Sequence, residues 1–226
     1  MATATGSRRD SAARDLRLFG LTLSSGAVDA ISFVALGKVF TAFMTGNLVF
    51  LGLGAAEAGG PDVLRVLVAL AGFAAGVYCA TRIVNGSPDS GTWSPGVTFA
   101  LAGTVVLQAG FLALWVTVSG RPGGGSAAAL IALMSLAMGL QSGAVASLAV
   151  NGVFTTAATA TLLFVMRDLA AGDSTGTERA RLTGVLLALL VGAAAGGLLL
   201  VHARPYAPAL PLVVTALTIA RAEPVG

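Results

Sequence analysis

Eight apolar runs, most of them about as long as a bilayer is thick, follow one another along this chain with only short breaks between them. They occupy residues 16–36, 40–56, 63–84, 95–118, 127–149, 153–166, 181–203 and 207–221. Crossing roughly 30 Å of hydrocarbon takes about 20 apolar residues, and lipid offers no partner to an unpaired backbone amide. Only helices and closed barrels meet that condition. The runs are continuous rather than alternating, so they read as helices. Charged residues make up 10% of the chain, against roughly 25% in soluble domains, and mean hydropathy is +0.88. Polar side chains this sparse cannot cover a water-facing surface. The expected class is an all-α integral membrane protein.

Glycine, proline and asparagine punctuate the breaks, at Gly37-Lys38, Gly59-Gly60-Pro61, Asn85-Gly86-Ser87-Pro88, Arg121-Pro122-Gly123-Gly124-Gly125, Asn151-Gly152 and Pro205. Residues 1–15 form a basic arm, with Arg8, Arg9 and Arg14 ahead of the first run and Arg17 just inside it. That run is longer than a signal-peptide core and no A-x-A site follows it, so an uncleaved first span is expected. Arginines of this kind orient a chain by the positive-inside rule. They place the arm in the cytoplasm of a multi-pass membrane protein. They also account for the net charge of +3 without nucleic acid. The single cysteine, Cys79, excludes a disulfide or a cysteine metal site within the monomer. One His, one Cys and no paired acids within the runs leave no material for an enzyme, a metal centre or a cofactor site. Gly123-Gly124-Gly125 lacks the lysine and the Ser/Thr of a phosphate loop.

The chain repeats itself. Ser25-Gly26-Ala27-Val28 recurs as Ser142-Gly143-Ala144-Val145, and V39-F-T-A-F-M-T-G-N-L-V-F-L51 recurs in weaker form as V153-F-T-T-A-A-T-A-T-L-L-F-V165. L70-A-G-F-A-A-G76 then recurs as L190-V-G-A-A-A-G196. Three matches in one order point to a duplication, with transmembrane repeats over 16–120 and 127–222. Each repeat opens with about 40 apolar residues, too many for one crossing at 1.5 Å per residue. They could form two full helices, giving four plus four spans in parallel. Alternatively they form one helix and a re-entrant half-helix, giving three plus three; an odd number then inverts the second copy. The runs 40–56 and 153–166 are short and polar-centred, which suits broken or re-entrant helices lining a cavity. The favoured expectation is therefore two inverted three-span repeats. It puts 85–92 and 171–180 on the cytoplasmic side and 57–62 outside.

Broken helices at matching positions of two halves are the best sequence pointer to a transporter's binding site. The first element supplies Thr41, Thr45, Gly46 and Asn47, and the second supplies Thr155, Thr159 and Thr161. Gln141 adds polarity ahead of the second element. The bland reading of such residues is packing glue between helices. Asp29 is the sharper feature: an acid inside the first run, with no basic residue until Lys38. Acids at membrane depth are costly and mark function by default, as proton carriers or cation ligands. Asp29 with the paired threonine elements would bind a small polar or ionic substrate. Gly72/Gly76 and Gly192/Gly196 are small residues four apart, expected to let helices approach closely, between the repeats or within a homo-oligomer. Trp93 and Trp115 are expected at opposite membrane interfaces of one helix.

S-G-A-V-D-A-I-S-F followed by L-G-K-V-F-T-A-F-M-T-G-N resembles the opening of the YoaK-like family of bacterial inner-membrane proteins, whose function is uncharacterised. That family's second half carries a Q-N-A element and a T-T-x-x-T-G-T element. Here they stand as Gln141-Ser142-Gly143 and Thr155-Thr156-Ala157-Ala158-Thr159-Ala160-Thr161, so two positions depart from the pattern. The resemblance implies a six-span membrane protein and no particular substrate. A small transporter or permease-like protein is the expected function. A scaffold that binds lipid or a partner protein without transporting is the alternative.

Overall fold

A computed structural model describes residues 2–85, 93–148, 158–171 and 176–221. The described chain is helical: α1 Ala2–Ala35, α2 Met44–Ala55, α3 Val63–Val84, α4 Pro95–Thr117, α5 Gly124–Ala146, α6 Ala158–Ala171, α7 Gly176–His202 and α8 Ala209–Ala220, with a 3-10 turn at Arg204–Tyr206. Five of these elements contain a stretch long and apolar enough to cross a membrane: 12–35 within α1, 178–202 within α7, and all of α3, α4 and α5. Large apolar side chains face outward on them, Phe99 at 70% and Val201 at 76% exposure. An aqueous surface would not carry so many, whereas hydrocarbon solvates them.

Local chemistry sets the helix ends. Gly37 (φ +94°) follows α1 in the left-handed region, and the amide of Lys38 bonds the Phe33 carbonyl at 3.0 Å, closing a Schellman turn. Asp62 caps α3 by accepting from the Arg65 amide at 3.0 Å. Ser94 caps α4 ahead of Pro95, which occupies a position whose amide has no helical partner anyway.

Two helix pairs hold the bundle together, α1 with α7 and α3 with α5, each joining the first half of the chain to the second. Glycine makes both contacts close. A side-chain carbon on Gly192 would collide with the Leu23 carbonyl, and one on Gly26 with that of Leu189. Gly76 and Gly139 face each other so closely that a carbon added to either lies within 2.9 Å of the other's Cα. Along α1 and α7 the partners rise together, Phe19 with Gly184, Leu23 with Gly192 and Ala27 with Gly196, so the helices are parallel. The same holds for α3 and α5, through Gly72 with Ala132, Gly76 with Gly139 and Val77 with Gly143. α8 runs antiparallel to α1, since Gly20 meets Thr218 while Ser24 Oγ lies 3.4 Å from the Pro211 carbonyl and 3.0 Å from Thr215 Oγ1.

The ends of elements meet accordingly. Arg65 at the start of α3 donates to the Leu36 carbonyl at 3.2 Å, just past the end of α1. Arg17, near the start of the 12–35 stretch of α1, donates to the Arg221 carbonyl at 2.9 Å, just past α8, and stacks its guanidinium 4.9 Å from the Trp93 ring. Trp115 corrects an expectation. It is fully buried, stacked on Phe111, and its indole N–H donates to the Arg204 carbonyl at 2.9 Å, so it is a core anchor rather than a belt residue.

The end-to-end contacts put residues 57–62 on one face of the bundle and Asn85, with Arg17, on the other. Single cysteines at Ala58 and Asn85 in a Cys79→Ser background should therefore react with an impermeant thiol reagent from opposite sides, Ala58 from outside and Asn85 from inside. Labelling of both from one side would show that the pairing of ends does not describe the protein in its membrane.

Candidate functional site

Past the Schellman turn the chain does not leave the membrane face. Residues 39–43 fold back along α1 until the amides of Thr41 and Ala42 reach Asp29, donating to Oδ1 at 2.9 and 2.8 Å. Asp29 lies six residues before the end of α1, hence about 9 Å below it. These amides are buried and precede α2, where no helical carbonyl can receive them; the carboxylate answers that need. Ser32 Oγ donates to the Asp29 carbonyl at 3.2 Å, and Thr41 Oγ1 donates to Ser32 Oγ at 3.5 Å.

Asn47 secures the same segment from the other side. Its Oδ1 accepts from the Phe40 amide at 3.1 Å and its Nδ2 donates to the Phe40 carbonyl at 2.7 Å. A backbone dipole that lipid would leave unpaired is thus paired twice. The side chain is buried and its amide is spent on the loop, which makes Asn47 a staple for the turn rather than a group facing ligand. Gly46 leaves room for the Phe40 and Phe43 rings, which a side-chain carbon would meet at 3.0 and 2.9 Å.

A groove of about 520 Å³ opens beside this turn. Asp29, Ser25 and Phe33 of α1 line it, with Phe40 and Phe43 of the returning loop, Ala158 and Thr159 at the start of α6, and Leu189 and Ala193 of α7. Phe33 stacks on Phe40 with centroids 4.9 Å apart, and Phe43 meets Phe40 edge-on at 5.3 Å. Ser25 Oγ is fully buried and has no hydrogen-bond partner among the described residues. The groove volume falls within the usual range for small-ligand sites, roughly 300–1,000 Å³.

The residues singled out by sequence divide as follows. Asp29 and Thr159 line the groove together. Thr41 sits behind it, its amide on Asp29. Thr45 is exposed and is not among the residues lining the groove. Gln141 is fully buried elsewhere, its Nε2 donating to the Leu21 carbonyl at 3.0 Å, and Thr161 is buried with a partner of its own. Thr155 lies outside the described residues. Ser25 and the three phenylalanines were missed. Phe40 and Phe43 were legible as large side chains three apart in a polar-centred turn, but nothing local tied them to Asp29. Gln108 was missed as well: an amide inside an apolar run, fully buried and 3.4 Å from Ser24 Oγ.

Among the described residues no group of three His, Cys, Asp or Glu is placed to hold a metal. A family described as "Protein of unknown function (DUF1275)" matches residues 17–221. The UPF0700 transmembrane protein YoaK of Bacillus subtilis (strain 168) is 38% identical over 156 residues, 69% of this chain and 67% of that protein. No solved structure matches.

Proposed function

The chain belongs to the DUF1275 family of multi-pass membrane proteins, and we propose that it is a small carrier that binds a polar or ionic solute in the groove beside Asp29. One observation carries the reading. An intramembrane acid from the first half and a threonine from the second half, Asp29 and Thr159, line a single cavity large enough for a small molecule. A scaffold would need the carboxylate only to hold the 39–43 turn, and would not need it open to a cavity shared with the second half. A carrier does, because a charge between two halves of a bundle lets ligand or proton bias how the halves sit.

The proposed architecture is a pair of inverted three-span repeats, α1–α4 and α5–α8, with α2 and α6 as the broken elements and the short α8, 12 residues long, as the second half's third crossing. The packing supports it. Exchanging the first and third helices of one half for those of the other turns the α1–α7 pair into the α5–α3 pair, and both pairs are parallel. The α4–α5 and α8–α1 contacts exchange in the same way. Parallel packing of α1 on α7 and α3 on α5, with α3 returning from the end of α1, makes α1 and α5 opposite in direction. In this reading the protein does no chemistry, and its arginine-rich arm lies in the cytoplasm of a bacterial inner membrane.

The test is water access. A methanethiosulfonate reagent requires thiolate and therefore water at the cysteine. In a Cys79→Ser background, Thr159→Cys should label within minutes, and Leu190→Cys, exposed on the lipid-facing side of α7, should not. Labelling of neither, in intact and in permeabilised cells, would leave Thr159 in lipid and favour the scaffold.

A further inference from the structure

We propose that the groove accepts a small organic cation, an ammonium group carrying an apolar body; this rests on reading the groove as a solute site. Charge comes first. Among the described residues Asp29 is the one ionisable group in the lining, and no basic side chain stands there to neutralise it. The neighbouring stretch A149-V-N-G-V-F-T-T-A157 contains no charged residue either, so the sequence offers none from that side. Lys38 is exposed and Arg65 is engaged on the Leu36 carbonyl. A carboxylate facing a cavity without a countercharge selects a cation and repels an anion.

The walls decide which cation. Phe33, Phe40 and Phe43 supply aromatic surface, and aromatic faces attract ammonium groups through the ring quadrupole. The hydroxyls of Ser25 and Thr159 add acceptors for N–H donors, and the buried Ser25 Oγ has no other partner among the described residues. Calcium or magnesium would demand about six oxygen ligands, whereas the side chains of the described lining offer one carboxylate, two hydroxyls and hydrocarbon. A neutral sugar would need more hydrogen-bonding groups than the described lining holds. An amine with an apolar body matches every part of it.

Calorimetry on the full chain in nanodiscs tests the proposal with phenethylamine, 2-phenylethanol of the same shape without charge, and phenylacetate of opposite charge. Phenethylamine should bind saturably, at least about tenfold tighter than 2-phenylethanol, with no binding of phenylacetate. Asp29→Asn should remove that preference. Phe40→Leu should weaken the amine severalfold, up to about thirtyfold. The comparison among the three probes uses unaltered protein, so it stands even if a variant fails to fold. Equal affinity for amine and alcohol would overturn the proposal in favour of an apolar pocket. Failure of the amine to bind while Thr159→Cys still labels overturns the substrate class and leaves the solute groove. Failure of both overturns both.

Discussion

Gly192→Leu should leave no correctly folded protein in the membrane. A carbon at position 192 collides with the carbonyl, main-chain carbon and Cα of Leu23, all of them backbone. A clash with a flexible side chain can be relieved by a rotamer change; this one requires α1 and α7 to separate. That contact is one of the two closest in the bundle, and lipid supplies no hydrophobic force to compensate for lost packing. Overpacking a tight interior typically costs about 1–3 kcal/mol, and a backbone clash lies at or above the top of that range. Because the obstructing atoms are main chain, trimming Leu23 to alanine should not rescue the variant. Gly197→Leu is the control: it lies one residue from the packed Gly196, yet nothing stands within 4 Å of its added carbon. Size-exclusion profiles and melting temperatures in mild detergent should separate the two variants sharply. If Gly192→Leu elutes and melts like Gly197→Leu, the α1–α7 contact does not hold the protein together.

Sequence alone marked Gly72, Gly76, Gly192 and Gly196 as close-packing positions because small residues four apart have few other uses in an apolar helix. It did not tell whether they met within the chain or across copies; the partners Leu23, Ala27 and Gly139 are distant in sequence. Gly120 shows the opposite limit. A glycine in a loop looks dispensable, but this one has φ +67°, and a side-chain carbon there would meet Trp115 Nε1 at 3.1 Å and Arg204 Cγ at 3.2 Å. Helix existence and extent were legible, since apolar run length is a local property. α3 occupies the expected 63–84 and α4 starts at the expected Pro95.

The candidate site was legible only in part, for a physical reason. A polar residue in an apolar run has two uses, to meet ligand or to satisfy a stranded backbone group, and composition is the same in both. Asn47 took the second use, because the returning loop leaves the Phe40 amide and carbonyl without helical partners. Thr45 took neither: it is exposed and outside the groove lining. Asp29 does both, capping the Thr41 and Ala42 amides and lining the groove. Separating those two duties is the more informative experiment.

Asp29→Ala and Asp29→Asn should therefore behave differently. Alanine removes the acceptor for two amides on buried residues and leaves both without it. A stranded buried donor costs about 1–3 kcal/mol, so Asp29→Ala should lose on the order of 2–6 kcal/mol and unfold at markedly lower temperature. Asparagine keeps an oxygen where Oδ1 stands, so the 39–43 segment keeps its anchor. Asp29→Asn should melt within a few degrees of the unaltered protein. Its solute binding should nonetheless disappear, because the charge facing the groove is gone while the shape remains. If the carboxylate served the loop alone, Asn would bind and fold like the original and only Ala would suffer. If Asn unfolded as badly as Ala, the negative charge itself, rather than the acceptor geometry, would be what holds the turn. A stable Asn variant that has lost its ligand is the outcome in which structure and function divide at one atom pair: Oδ1 keeps the fold, and the charge it shares with Oδ2 draws the solute.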